Sequence, residues 1–532
     1  MLDSDRIDPD PRPRMEWDAW GTSGHATALP PGARAIAATL LRGTPHPVPR
    51  RDPVTVSLTP TRLSADDLDA LGAATSVTTD DAARMLHLGG KSTPDLLHRR
   101  IDAIQTAPDA IVSPASHAEV VAALRVCDER GIAIVPFGGG TSVVGGVDPI
   151  AGVLRAVVAL DLSATAGLLA LDETSLLATF GAGTTGPQAE QLLGDRGFTL
   201  GHFPQSFEFA SLGGFAATRS SGQASRGYGR FDDLVHALRV AAPAGELELG
   251  HAPASAAGPD LRELFLGSEG AFGVITEVTV RIRRRPAATG YGSWTFPDFA
   301  AGAEALRELT QRSIRPTVLR LSDEAETRTN AALGGHFTRL RGCLAVATFE
   351  AETEADAASA RAAADAVMRA HGGRDRGEDA ARSWERGRFA SPALRDTLLD
   401  IGVLAETLET ATTWTALPAL KAGVTAAIAA QLGGRPIIMC HVSHVYPAGA
   451  SLYFTVVAPL GEDPVAQWSA AKDAASRAIV AAGGTITHHH AVGRDHRPYL
   501  EAEIGALGVE ILRAVKRAAD PNGIMNPTVL VP

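Results

Sequence analysis

One strand that runs straight into three glycines constrains this chain more than any other stretch. Ile132, Ala133, Ile134 and Val135 form a continuous apolar run, the mark of a strand buried on both faces. The run passes directly into Pro136-Phe137-Gly138-Gly139-Gly140-Thr141-Ser142. Glycine carries no Cβ, so this backbone can come close to an anion. Successive N–H groups can form a nest, and the Thr141 and Ser142 hydroxyls add donors. The spacing is neither GxGxxG nor GxxxxGKS/T, so a Rossmann or Walker nucleotide site is not supported. Taken alone, the run is equally compatible with a tight loop.

Two later segments supply context. The first is Gly201-His202-Phe203-Pro204-Gln205-Ser206-Phe207-Glu208-Phe209-Ala210-Ser211-Leu212-Gly213-Gly214, continuing to Ala217-Thr218-Arg219-Ser220-Ser221-Gly222. The second is Leu264-Phe265-Leu266-Gly267-Ser268-Glu269-Gly270-Ala271-Phe272-Gly273-Val274-Ile275-Thr276. Both place glycine and small hydroxyl residues between apolar runs, so their backbones can lie close against a large flat ligand. Around them short strands alternate with helices. Ser116 and Glu119 read as a capping box opening a helix over 120–130, which Gly131 ends. Further strands are expected near 157–160, 176–180 and 274–283, with Gly186-Pro187 opening another helix.

At these residues the chain resembles the FAD-binding flavoproteins of the vanillyl-alcohol oxidase, or PCMH, type. The resemblance implies an α+β fold: a two-lobed α/β FAD-binding domain plus a C-terminal α+β cap domain. It assigns the PFGGGTS loop (Pro136, Phe137, Gly138, Gly139, Gly140, Thr141, Ser142) to the pyrophosphate. The other FAD contacts it implies are Gln205, Ser206, Phe207, Glu208, Phe209, Ala210, Ser211, Thr218, Arg219, Ser220, Ser221, Glu269, Gly270, Ala271, Phe272, Gly273, Val274 and Ile275. Some relatives tether FAD through a His or Cys near the glycine loop; residues 136–146 contain neither, so non-covalent FAD is expected. Three units follow: an N-terminal arm and helical region (1–105), the FAD domain (106–286) and a substrate cap (287–532) whose tail returns to the FAD domain.

From Trp17 to Pro527 the chain is similar, more narrowly, to the alkyldihydroxyacetonephosphate synthase family, which forms the ether bond of ether lipids. The similarity rests on Met15-Glu16-Trp17-Asp18-Ala19-Trp20-Gly21, Ala393-Leu394-Arg395-Asp396, His441-Val442-Ser443-His444-Val445-Tyr446, Ser451-Leu452-Tyr453-Phe454, Gly483-Gly484-Thr485-Ile486-Thr487-His488-His489-His490-Ala491-Val492-Gly493 and Asp520-Pro521-Asn522-Gly523-Ile524. It implies a redox-neutral exchange of an acyl group for a long-chain alcohol through a flavin N5 adduct. Tyr453 would be the general acid/base, with His488, His489, His490 and Arg395 around it. A phenol titrates near 10, so cationic neighbours are expected, supplied by the histidines and Arg395. The planar fork of Arg395 also suits a carboxylate or phosphate.

From the residues alone, Tyr453 could be a core tyrosine, Arg395 a helix-surface ion pair and the histidines a metal site joined by His441, His444 or His496. In a strand, His488 and His490 would face one way and His489 the other. No metal is assigned. The chain departs from the family at His202-Phe203-Pro204-Gln205-Ser206, where acidic residues flank the proline; at Ala491, where a glycine stands; and at Asn526-Pro527, in place of Asn-Arg. These departures leave two other readings open: an FAD-dependent 2-hydroxyacid dehydrogenase, or a flavin-binding protein without turnover.

Composition fits. The 532 residues are too many for one core, and roughly 150 per domain gives about three units. Net charge is −11 with no basic stripe, which argues against nucleic acid. Cys127, Cys343 and Cys440 are scattered, which suits inert thiols in a reducing compartment. The N-terminus shows no apolar signal region, and no window reaches the roughly 20 apolar residues of a membrane span. Residues 353–382, rich in Ala and charge, read as surface helix without a functional role. A cytoplasmic homodimer acting on a small-molecule or lipid substrate is expected, with peripheral membrane contact compatible with such a substrate.

Overall fold

The computed structural model describes residues 14–22, 28–41, 46–333 and 341–532; the first dozen residues, expected to be disordered, lie outside these. The half that carries the glycine loop has two lobes. In one, the apolar strand Ile132–Phe137 pairs parallel to Ala156–Asp161, which pairs parallel to Ala110–Ser113, with Ser76–Thr78 added antiparallel at the edge. Helix His117–Arg130 lies between the two parallel strands Ala110–Ser113 and Ile132–Phe137 in sequence, the crossover that parallel pairing needs. It ends at Gly131 in the left-handed region (φ 62°). Its start is half a capping box. The Ser116 hydroxyl accepts from Glu119 N, but the Glu119 carboxylate turns away to Ala115 N and the Thr75 hydroxyl.

The second lobe is an antiparallel five-stranded sheet ordered Gly245–Leu249, Val235–Ala242, Val274–Arg281, Leu177–Gly181, Leu168–Asp172. One apolar core runs through both lobes, with Phe180, Phe215, Phe231 and Phe272 at 0–1 % exposure. The cap is a seven-stranded antiparallel sheet ordered Arg374–Asp375, Ala288–Phe296, Cys343–Ala351, Val318–Ser322, Ile437–Val445, Gly449–Pro459, Val403–Thr413. Its separate core centres on Trp294, Trp468, Phe349 and Phe454. The Trp294 indole N–H is satisfied by Asp365 at 2.8 Å, so cutting it to Ala removes about 3–5 kcal/mol of packing and leaves that carboxylate with Arg369 alone.

Two chain segments bind these units together. The tail adds to the parallel lobe: Ile134 N donates to Ile524 O and Asn526 N donates to Ile134 O, both at 2.8 Å. The arm around Trp17 docks inward. Trp17 is 6 % exposed, its carbonyl accepts from Lys91 Nζ (3.0 Å) and Arg99 Nη1 (2.8 Å), and Trp20 N donates to the Asp396 carboxylate. All three cysteines are buried and free.

Candidate active site

A cavity of about 1090 Å³ runs between the two-lobed half and the cap. Pro136, Phe137, Gly138, Gly139, Gly140, Thr141 and Ser142 all line it. The glycines are there because nothing larger fits: a Cβ on Gly139 would lie 2.1 Å from Phe209 O, and one on Gly138 2.4 Å from Ser211 Oγ. Gln205, Ser206, Ala210, Ser211, Thr218, Ser220, Ser221, Glu269, Gly270 and Ile275 continue the wall.

The other expected contacts lie outside the cavity. Phe207 stacks on Phe389 (5.4 Å between centroids), and Glu208 is exposed. Phe209 is buried with its ring edge-on to Trp20. Arg219 is spent on Asp232, Glu263 and Leu266 O. Ala271, Phe272 and Val274 are core residues at 1 % exposure, and a Cβ on Gly273 would point at Ala241 O (2.8 Å). The Glu269 carboxylate accepts from Val492 N (3.1 Å) and Gly493 N (2.8 Å) of the cap, and burial pushes it up to about 7.

The far wall is one face of the cap sheet. Period-two alternation on three neighbouring strands places residues in rows. Glu409, Tyr453 and His441 form one row, Thr407, Thr455 and Met439 the next, and Ala405, Val457 and Ile437 the third. The face therefore grades from titratable to apolar. Beyond the third row, Ala37, Leu40, Leu398 and Val403 pack with Ala405, Met439 and Val457 as an apolar cluster, and most of these also line the cavity.

Tyr453 sits in the titratable row. His441 stacks on it (centroids 4.9 Å, 18°), with the His490 ring edge-on at 5.6 Å and His489 at 6.0 Å. Burial pushes its phenol up to about 12, against a hydrogen bond from Thr407 and the charge of Arg395. The expected cationic histidines are instead neutral. Burial holds His489 below its ordinary value, His490 down to about 3 and His488 well below. Arg395 lines the cavity, but its fork is engaged with Lys91 O, Asp396 (3.4 Å) and Glu406 (3.6 Å).

The histidine run is a loop, not a strand. Its backbone wraps the Glu409 carboxylate, which accepts from His488 N (2.7 Å), His489 N (3.1 Å), His490 N (2.9 Å) and the Thr487 hydroxyl (2.6 Å). His489 and His490 face the cavity, whereas His488 turns back to the Tyr446 hydroxyl at 2.6 Å. Ring nitrogens of His444, His488 and His489 come within 4.8 Å of one another. Arg320 also lines the cavity, donating to Glu326 (2.8 Å) and His441 (2.9 Å). The helix Asp379–Gly387, half of it in the stretch read as plain surface helix, borders the cavity with Arg382, Ser383 and Arg386.

These walls fit FAD. One cavity takes in both the glycine loop and Tyr453, glycines sit where any Cβ would intrude, and the buried Gln205 Nε2 lacks a partner. Two family models match: "FAD binding domain" over residues 108–249 and "FAD linked oxidases, C-terminal domain" over 285–530. A curated alkyldihydroxyacetonephosphate synthase of Trypanosoma brucei brucei is 32 % identical over 496 residues, 88 % of this chain and 80 % of that one. The Dictyostelium discoideum enzyme of the same name is 31 % identical, over 85 % of this chain and 78 % of its own length. The chain belongs to the alkyldihydroxyacetonephosphate synthase family. A solved alkyldihydroxyacetonephosphate synthase superposes with a TM-score of 0.84 at 28 % identity, covering 97 % of this chain and 99 % of that one. The chain is thus an FAD-dependent enzyme of this family with the two-domain flavoprotein architecture.

Sequence reasoning did not single out Glu409, Arg320, Glu326 or the helix Asp379–Gly387. For Glu409 a signal existed: with Glu406 it is the charged part of an otherwise apolar and hydroxyl strand, Val403–Thr413. Arg320 and Glu326 carry no such mark, because they meet only when the strand Val318–Ser322 and the helix after it fold against His441.

Proposed function

We propose that the protein exchanges the acyl group of an acyl-dihydroxyacetone phosphate for a long-chain alcohol. The graded sheet face carries this reading. One cavity offers acid/base groups at Tyr453 and an apolar surface two rows on, about 13 Å away at 3.2–3.4 Å per residue. A polar head and an alkyl chain on one molecule need that combination. Cations for the phosphate are present: Arg320, Arg382, Arg386, Arg388 and Arg395 border the cavity. Arg388 lies against the rings of Phe203 (4.6 Å) and Phe389 (4.9 Å), with no carboxylate in ion-pair range among the described residues.

Bound FAD supplies a ring that can take up and return an electron pair. The chain's own residues do the rest. Arginines hold the phosphate, the apolar rows seat the chain, and the buried walls exclude water. Tyr453 Oη, kept protonated by burial, is placed to give a proton to a leaving group and to take one back.

The test adds acyl-dihydroxyacetone phosphate to the anaerobic holoenzyme and follows the flavin absorbance. A change that reverses on adding long-chain alcohol, with alkyl product and no electron acceptor, is expected. Bleaching by a 2-hydroxyacid, with recovery only through an acceptor, would make the protein a dehydrogenase instead. Y453F is expected to keep its flavin spectrum and lose exchange by roughly 10²–10⁴-fold. We also propose that FAD is held non-covalently, on the composition of residues 136–146. Acid precipitation should leave the yellow flavin in the supernatant, and flavin retained in the pellet refutes this.

A further inference from the structure

We propose that Glu409 is the positioning residue of the histidine loop: its carboxylate aims His489 and His490 into the cavity and balances the positive charge that one of them acquires when it accepts the alcohol's proton. This rests on the exchange reaction proposed above. The acyloxy group leaves as a carboxylic acid carrying the Tyr453 proton, and the alkoxy group that replaces it comes from an alcohol, so the alcohol's proton must be carried back to the Tyr453 phenolate. Neutral imidazoles at the cavity wall can accept it, and His489 and His490 are such imidazoles. An imidazolium formed there is enclosed by protein and needs a counter-charge.

The surroundings leave few candidates for that counter-charge. Arg230 adds positive charge near His489, and Lys472 adds it near His490, where the neighbouring His489 and His496 also weigh against protonation. His444 is itself neutral. Glu406 is engaged with Arg395 and the Thr93 amide. Glu409 remains, with an unexposed side chain 3.6 Å from His489 Nδ1 and 4.0 Å from His490 Nδ1. Its two oxygens accept the amides of His488, His489 and His490 and the Thr487 hydroxyl. A carboxylate satisfies four converging donors, whereas an amide would turn its own N–H groups toward some of them. Burial pushes the carboxyl up, but positive charge on His489, His490 or His488 and the Thr487 hydroxyl outweigh it and hold it well below the usual carboxylate range. Because Glu409 lies directly across from Tyr453 on the neighbouring strand, one stretch of sheet fixes both the phenol and the loop that faces it.

The experiment compares wild type, E409Q and E409D as holoenzymes. It reads flavin content, KM for the acyl substrate, kcat and the pH profile of kcat/KM. E409Q should keep its flavin and a KM within about threefold of wild type, while kcat falls on the order of 10²-fold or more. Its ascending pH limb should move to lower pH, because the base has lost its counter-charge. E409D keeps the charge one methylene back, so it should lose about tenfold in kcat with the limb unmoved. Wild-type kcat and pH profile in E409Q overturn the proposal. Should E409Q fail to bind flavin, E409D decides alone: an unchanged kcat, or a shifted limb, overturns it. Absence of exchange activity in wild type would overturn the reaction assignment instead, which separates the two failures.

Discussion

Tyr453 works among neutral imidazoles, and that changes how its chemistry has to be understood. Burial pushes the phenol up to about 12 and holds the imidazoles neutral, so in the resting site Tyr453 is a proton donor and not a phenolate. Sequence alone suggested cations, because it counts histidines but cannot weigh the loss of water around them. A second residue shows a departure with a structural cost. Ala491 sits in the left-handed region at φ 74°, where a Cβ crowds the backbone by about 1–2 kcal/mol. A491G is therefore expected to raise stability by about 1 kcal/mol, less the glycine entropy cost, and denaturant melts will show it as a higher midpoint at unchanged slope. A lower midpoint would mean that the Ala491 methyl packs usefully.

At the scale of elements, strand register does most of the arranging. The rows Glu409–Tyr453–His441, Thr407–Thr455–Met439 and Ala405–Val457–Ile437 follow from pairing alone. Slipping one strand by a residue would turn its members to the opposite face. If the third row seats an alkyl chain, V457W should block it. Exchange with a sixteen-carbon alcohol is then expected to fall at least tenfold in kcat/KM while a four-carbon alcohol is little affected, and equal losses for both would mean the chain runs elsewhere. The glycine loop and its two companion segments were legible because close approach requires glycine, and glycine is visible in a sequence. The loop shape of the histidine run was not. Three consecutive histidines have no period to read, and the carboxylate that bends them, Glu409, lies 78 residues before Thr487 in the chain. The same limit explains Phe272, Val274 and Arg219: residues inside a recognised segment divide between cavity and core only once the lobes pack.

Across the whole molecule, the buried histidines set the acid limit. His202 and His490 are depressed to about 3 and His496 to about 4, all by burial. A depressed histidine is neutral in the fold and protonated in the unfolded chain below about 6.5. Stability is therefore fully present above that value and falls as pH drops through the window toward 3–4. By pH 5 each such group costs about 2 kcal/mol. Melting temperature should hold from pH 8 to 7 and drop steeply between pH 6 and 5; a flat profile there would mean the histidines gain water in solution.

The tail strand has a consequence for the order of synthesis. Ile134, at the heart of the strand that leads into the glycine loop, gains its last backbone partners from Ile524 and Asn526, about 390 residues later in the chain. At 5–20 residues per second the ribosome takes roughly 20–80 s to cover that distance. Asn526 Nδ2 also holds the carbonyls of Gly146 and Glu269, one just after the glycine loop and one in the third glycine-rich segment. The nascent FAD half thus waits, incomplete, while the entire cap is made, and the cofactor meets a finished site only once the cap has been synthesised.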